Sequence, residues 1–256
     1  MQPALPELTV SLQPKQRQLY NAIIDRRPEA PTVIGYGGSR GAAKSGGVRR
    51  IALALAYEQP CIIWIIRRVW DDLNKDHVKP LFEEYPALKD FYRVQDRELH
   101  LPNGSSIFFI HSGQEKRAKR KARGPQAHYI FLEQAEEFSQ KEMEGLAGSN
   151  RAPGVGPGHC KRIYTFNPGG IGTAYLRRIF HLRDYHVDNE RAADFLFIQA
   201  YGWDNYEWFR GVPGMVDEAT FYRSPEWAGI TTFEYFSCQV TTSRLAFEWF
   251  ITKTDF

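Results

Sequence analysis

Two stretches hold residue types whose order can do chemistry. The first is Val33-Ile34-Gly35-Tyr36-Gly37-Gly38-Ser39-Arg40-Gly41-Ala42-Ala43-Lys44-Ser45. An apolar run over 32–36 reads as a buried strand, and Val48 to Ala56 reads as a helix. A glycine-rich turn between them, closing on Lys-Ser, is the context of a phosphate-binding loop. Backbone N–H groups of Gly38, Ser39, Gly41, Ala42 and Ala43 would converge on phosphate oxygens, and the helix N-terminus adds partial positive charge. Lys44 would reach the β/γ-phosphates, and the Ser45 hydroxyl would ligate Mg²⁺. Alanine stands at 43 where the motif has glycine, so it is expected to crowd the phosphate or resist the local backbone angles. The plainer alternative is a Gly-rich turn with no ligand.

The second stretch is His128-Tyr129-Ile130-Phe131-Leu132, an apolar strand ending in Glu133-Gln134-Ala135-Glu136-Glu137-Phe138. Two adjacent carboxyl positions at a strand end, downstream of a phosphate loop, make a Walker B arrangement. The first holds Mg²⁺ through its water shell and the second polarises the attacking water. Here the first is Glu133, longer than the usual Asp, and the second is Gln134, which cannot accept a proton. Glu136 and Glu137 read equally as acids favouring a helix N-terminus. Further on, Ile163-Tyr164-Thr165-Phe166-Asn167-Pro168 is another strand ending in polar groups. Thr165 and Asn167 point the same way along it and can sense a γ-phosphate, or simply precede a Pro-Gly turn. Gln16, on a segment ahead of the loop, has an amide able to read adenine or merely to solvate a helix.

The elements that position these groups alternate strand and helix. Pro14 suits the first turn of a helix carrying Leu19, Ala22 and Ile23. The β-branched run Cys61-Ile62-Ile63-Trp64-Ile65-Ile66 reads as a strand buried on both faces, with Arg67-Arg68 at the end where ligands gather in open α/β sheets. Residues 69–85 read as one amphipathic segment with Trp70, Leu73, His77, Leu81 and Phe82 as its buried stripe. Glu98 to Leu101 and Ser106 to Ile110, around Pro102-Asn103-Gly104, read as a β-hairpin. A basic run over 116–123 ends in Arg123-Gly124-Pro125; it can meet phosphates, but a charge run alone more often forms a solvated face.

With 256 residues, the chain can bury a substantial core as one large domain, or one domain with an appendage. Its hydrophobic and charged fractions, 43% and 25%, are ordinary for a globular protein, and a net charge of +3 does not imply nucleic acid. Three scattered cysteines argue against a zinc ribbon or a disulfide framework and fit a reducing compartment. No apolar run approaches a membrane span, and no signal peptide is expected at the N-terminus.

In this order and spacing, over about residues 10–210, the motifs resemble the ATPase domain of the phage terminase large subunit, the DNA-packaging motor of tailed phages. Residues Tyr36 to Ser45 resemble its Walker A, with Arg40 at the family's arginine, and Gln16 fits its adenine-side glutamine. Trp64 to Arg68 resembles the segment after its loop helix, and Arg123-Gly124 an Arg-Gly pair ahead of Walker B. Glu133 to Phe138 resembles an Asp-Glu-Ala-Glu-Glu-Phe Walker B. Thr165-Phe166-Asn167-Pro168 resembles the coupling motif, and Phe197 to Ala200 with Asp204-Asn205 the end of the core.

The resemblance implies an α/β P-loop NTPase (RecA/ASCE-like) fold, three layers around a mainly parallel sheet. The core would span 1–200, with a small helical lid or linker over 201–256. It implies ATP and Mg²⁺, with Ser45 and Glu133 around the metal and Arg40 on the charge developing at the transferring phosphoryl. Thr165 and Asn167 would couple hydrolysis to movement of double-stranded DNA. Portal protein, the small terminase subunit and a homo-oligomeric ring on the portal are the implied partners. The place is the host cytoplasm, docked transiently on the prohead, with no membrane. Carboxylates in 211–256 fall in no strand context, so nuclease activity is not expected. The departure at Gln134 leaves two outcomes: Glu136 or Glu137 takes over as base, or the chain is a hydrolysis-impaired nucleotide- or DNA-binding remnant. A helicase would need further motifs and a second RecA-like domain.

Overall fold

A computed structural model of the chain describes residues 4–112, 126–152, 155, 158–186, 190–205 and 207. The basic run over 116–123, Arg123-Gly124, and residues 206 and 208–256 of the expected lid or linker lie outside them.

Eight strands form one sheet: β1 (Val33–Gly38), β2 (Ile62–Arg67), β3 (Tyr92–Arg93), β4 (Glu98–His100), β5 (Ser106–His111), β6 (Tyr129–Leu132), β7 (Lys161–Phe166) and β8 (Phe195–Ala200). Their order is β3-β4-β5-β2-β6-β7-β1-β8. From β5 to β8 every pairing is parallel. Only the β3-β4-β5 edge is antiparallel, and Leu99 faces Ile107 across the expected hairpin.

Strand β2 explains the layering. Ile63 and Ile65 join a core with Leu19, Ile34, Ile51 and Leu55, while Trp64 and Ile66 join another with Ile130, Leu132, Met143 and Tyr164. A strand apolar on both faces must be covered on both, so helices lie on each side of the sheet. On one side are α1 (Pro14–Ile24) and α2 (Lys44–Glu58), whose Leu19, Ile23, Ile51 and Leu55 are buried.

The segment over 69–85 departs from one regular helix. It runs as α3 (Trp70–Leu73), a π-turn (Asn74–Val78) and α4 (Lys79–Glu84). Pro80 supplies the reason. It has no N–H, and its ring crowds the carbonyl four residues back, that of Asp76. The backbone widens there, with the Lys79 N–H bonding to the Asn74 carbonyl. The freed Asp76 carbonyl accepts from Arg49 Nη1 at 2.7 Å.

The strand order sets the site. β7 lies between β1, which leads into the glycine loop, and β6, which leads into Glu133. Neighbouring strands are about 4.8 Å apart, so side chains at the end of β7 can touch both loops.

Candidate active site

The glycine loop leaves β1 at Gly38, whose φ is +144°. A Cβ there would lie 2.0 Å from the Ala200 carbonyl oxygen on β8, so the sheet closes over this corner only with glycine. The Ser39 N–H donates to that same carbonyl at 3.1 Å. Ala43 adopts the left-handed conformation (φ 52°, ψ 29°) as the N-cap of α2. Three side-chain amides brace the loop. Gln16 Nε2 donates to the Ala43 carbonyl at 3.1 Å and Asn205 Nδ2 to the Gly41 carbonyl at 2.9 Å. Gln13 Nε2 donates to Asn205 Oδ1 at 3.2 Å. Gln16 is buried, and its Oε1 accepts from the Gln13 N–H at 3.0 Å. Its amide thus supports the loop backbone. Ala42 is buried, Arg40 is exposed, and the buried Ser39 hydroxyl has no hydrogen-bond partner among the described residues.

At the first turn of α2, Ser45 Oγ donates to Glu133 Oε2 at 2.7 Å. Glu133 is buried, and two further donors hold it. Thr165 Oγ1 bonds to Oε1 at 2.6 Å and His77 Nε2 meets Oε2 at 3.1 Å. Burial alone would raise the carboxyl pKa, but His77, Ser45 and Thr165 outweigh it and bring it down to about 2. A hydroxyl and an ionised carboxylate beside a helix N-terminus are the hard-oxygen donors that suit Mg²⁺, which takes its remaining ligands from water and substrate phosphates. Among the described residues no cluster of three or more His, Cys, Asp or Glu forms an all-protein metal cage.

Lys44 Nζ donates to the Ser39 carbonyl at 2.6 Å and to Asn167 Oδ1 at 2.8 Å. Desolvation lowers the ammonium pKa to about 8, against the pull of Glu136 and Glu133. The other end of Asn167, Nδ2, donates to Glu136 Oε1 at 3.4 Å. Glu136 is buried, and its Oε2 has no hydrogen-bond partner among the described residues. Burial raises its carboxyl pKa to about 7, with Asn167 and Lys44 opposing. The neighbouring Glu137 is only half-buried.

Gln134 sits between these corners in a left-handed conformation (φ 51°, ψ 54°). Its N–H lies 3.4 Å from Thr165 Oγ1, and its Oε1 accepts from Arg67 Nε at 3.1 Å. Arg67, buried at the end of β2, also pairs with the Asp76 carboxylate.

A family model of the phage terminase large subunit matches residues 31–212. The chain belongs to that family. Comparison with curated proteins found no match. Among solved structures, the large terminase of a thermophilic bacteriophage in complex with ATP-gamma-S is similar at 13% identity and a TM-score of 0.56. That match covers 88% of this chain and 51% of the thermophilic phage chain. The large terminase of bacteriophage HK97 is similar at 13% identity and a TM-score of 0.54, covering 90% and 49%. The chain therefore spans about half the length of these terminases. At this identity the likeness concerns the fold, a P-loop NTPase with a mainly parallel sheet. No helix among the described residues is long and apolar enough to cross a membrane.

The fold thus brings together two bonded sets of this terminase chain, Lys44–Asn167–Glu136 and Ser45–Glu133–Thr165, side by side at the start of α2. Gln16 joins through the loop backbone, Gln134 faces Arg67, and Arg40 stands exposed beside the loop. From sequence, His77 reads only as part of an apolar stripe, and Asn205 only as the end of the core. The one sequence signal for His77 is a histidine among apolar residues three positions ahead of a proline.

Proposed function

We propose that this terminase chain binds ATP with Mg²⁺ and hydrolyses it, with Glu136 as the general base, to drive double-stranded DNA into a prohead. The observation that carries the reading is the Lys44–Asn167–Glu136 chain. It puts a buried carboxylate with one free oxygen a single amide away from the phosphate-binding ammonium. Its pKa of about 7 suits a base at neutral pH.

Loop N–H groups over 40–43 and the N-terminus of α2 bind the phosphates, while the Ser39 N–H ties the loop to β8. Lys44 exchanges Asn167 for phosphate oxygens. Ser45 and Glu133 would hold Mg²⁺, which would neutralise charge on the phosphate oxygens. Glu136 takes a proton from the attacking water as the new O–P bond forms and the bond to the leaving ADP oxygen breaks. Arg40, exposed on the loop, stabilises the transferring phosphoryl. Gln16 serves the adenine side through the loop it braces. Thr165 touches Glu133, and Asn167 touches both Lys44 and Glu136, so loss of the γ-phosphate reaches β7 through them. The nucleotide complexes of the thermophilic phage terminase support ATP as the ligand. Family membership supports portal protein, small subunit and a ring on the portal as partners in the host cytoplasm. We assign residues 1–200 to the ATPase core and 201–256 to the lid or linker.

Steady-state ATP hydrolysis with Mg²⁺, with and without double-stranded DNA, tests the proposal against Lys44→Ala as blank. Turnover that vanishes in Lys44→Ala supports the motor. ATP binding without turnover favours the second reading, a hydrolysis-impaired remnant, for which Gln134 and Ala43 speak. Gln134→Glu would then create activity.

A further inference from the structure

We infer that His77 is a positioning residue for the metal, acting through Glu133. The inference rests on the nucleotide-binding reading above and adds to it a residue outside every motif.

His77 is fully buried, and its Nε2 lies 3.1 Å from Glu133 Oε2. Its other ring nitrogen, Nδ1, is buried with no hydrogen-bond partner among the described residues. An apolar side chain would fill this core position without leaving a polar atom unpaired, and an unpaired buried polar group is costly. The bond to Glu133 is the one polar return on that cost.

Glu133 needs such a holder. Glutamate has one more side-chain torsion than the aspartate usual at this place, so more freedom must be removed to fix its oxygens. Thr165 holds Oε1, while Ser45 and His77 together hold Oε2. The Ser45 hydroxyl is itself a metal donor, so His77 supplies a grip on Oε2 that does not depend on the metal shell. Outer partners of this kind orient ligating groups, and their loss typically costs about 10–100-fold in metal affinity or activity.

The backbone that delivers His77 points the same way. It stands in the π-turn Asn74–Val78, which Pro80 enforces, and π-turns within helices are frequent at functional sites. The residue before it, Asp76, pairs with Arg67, which in turn holds Gln134. One widened turn therefore clasps both Glu133 and Gln134.

The test measures binding of a fluorescent ADP analogue to the full chain with and without Mg²⁺, together with thermal melting. His77→Leu should raise the Mg²⁺ concentration for half-saturation about 10–100-fold while leaving Mg²⁺-free ADP binding unchanged. His77→Gln, whose amide N–H reaches the Nε2 place, should restore most of the loss, and the shorter His77→Asn should not. A folded His77→Leu chain with the wild-type Mg²⁺ requirement overturns the inference. If His77→Leu does not fold, equal Mg²⁺ requirements for the Gln and Asn variants overturn it instead. A wild-type chain that binds no ADP at all defeats the nucleotide reading first, and this inference falls with it.

Discussion

Lys44 and Asn167, 123 residues apart in sequence, meet in a 2.8 Å hydrogen bond across the end of the sheet. That bond takes one of the three ammonium N–H donors and the Ser39 carbonyl takes another, so Asn167 competes with phosphate for Lys44. Asn167→Asp turns it into an ion pair beside Glu136. We expect ATP affinity to fall by about tenfold or more, since a carboxylate holds the ammonium more tightly than a neutral amide does and repels the phosphates. Asn167→Ala frees one donor of Lys44 and should bind ATP at least as tightly as wild type, yet turn it over far more slowly because Glu136 loses its Asn167 partner. Binding and turnover measured on the same samples separate the two effects, and parallel losses in both variants would contradict this role.

Glu136→Gln removes the proposed base without changing shape. Turnover should drop by roughly 10² to 10⁴ with ATP binding retained. Glu137→Gln, on a half-buried side chain, should stay near wild type. Gln134→Glu should change turnover little, because Arg67 already holds that side chain at 3.1 Å. The same Glu136→Gln chain should also melt higher at pH 8 than wild type. Above a pKa of about 7 the wild type must carry a buried charge with an unpartnered oxygen, and the amide removes that charge. At pH 5 the wild-type carboxyl is protonated and the gap should close. A gap of equal size at both pH values would argue against burial as its cause.

How far these residues can be read without the fold depends on how they reach the site. Gly38, Lys44, Ser45 and Glu133 sit in contiguous patterns tied to a strand end or a helix start, so the sequence alone places them. Asn205 reaches Gly41 from 164 residues away, and His77 reaches Glu133 from 56. In sequence His77 lies within an apolar stripe, where a histidine reads as core. The π-turn that aims it is hidden for a related reason: Pro80 looks compatible with the start of a helical turn, whereas here it breaks a bond within a longer one. Strand β3, two residues long, has too little pattern to detect. The left-handed backbone at Gln134 is equally illegible, because glutamine carries no turn signal.

The pH profile follows from two groups. In the free protein the Glu136 carboxyl titrates at about 7 and must be ionised to accept a proton, so kcat/KM should rise through that pH. The Lys44 ammonium titrates at about 8 and must be protonated to hold phosphate, so kcat/KM should fall beyond it. The result is a narrow bell for kcat/KM. In kcat the alkaline limb should move upward, because bound phosphate favours the charged ammonium. Glu136→Gln should lose the acid limb along with most of its activity. An acid limb that persists in the residual rate would assign it to another group.

Ala43 tests whether the loop is strained where its pattern departs from glycine. A left-handed alanine (φ 52°) costs roughly 1–2 kcal/mol relative to its ordinary conformations, and glycine does not bear that cost. Glycine also gains freedom in the unfolded chain, which offsets part of the benefit. Ala43→Gly should therefore raise Tm by about 2–4 °C, the shift expected for roughly 1 kcal/mol in a domain of this size. The Ala43 carbonyl still accepts from Gln16, so the loop keeps its brace and ADP affinity should not weaken. An unchanged or lower Tm would mean that the alanine sits there without strain, and with it would go the argument that position 43 limits this loop.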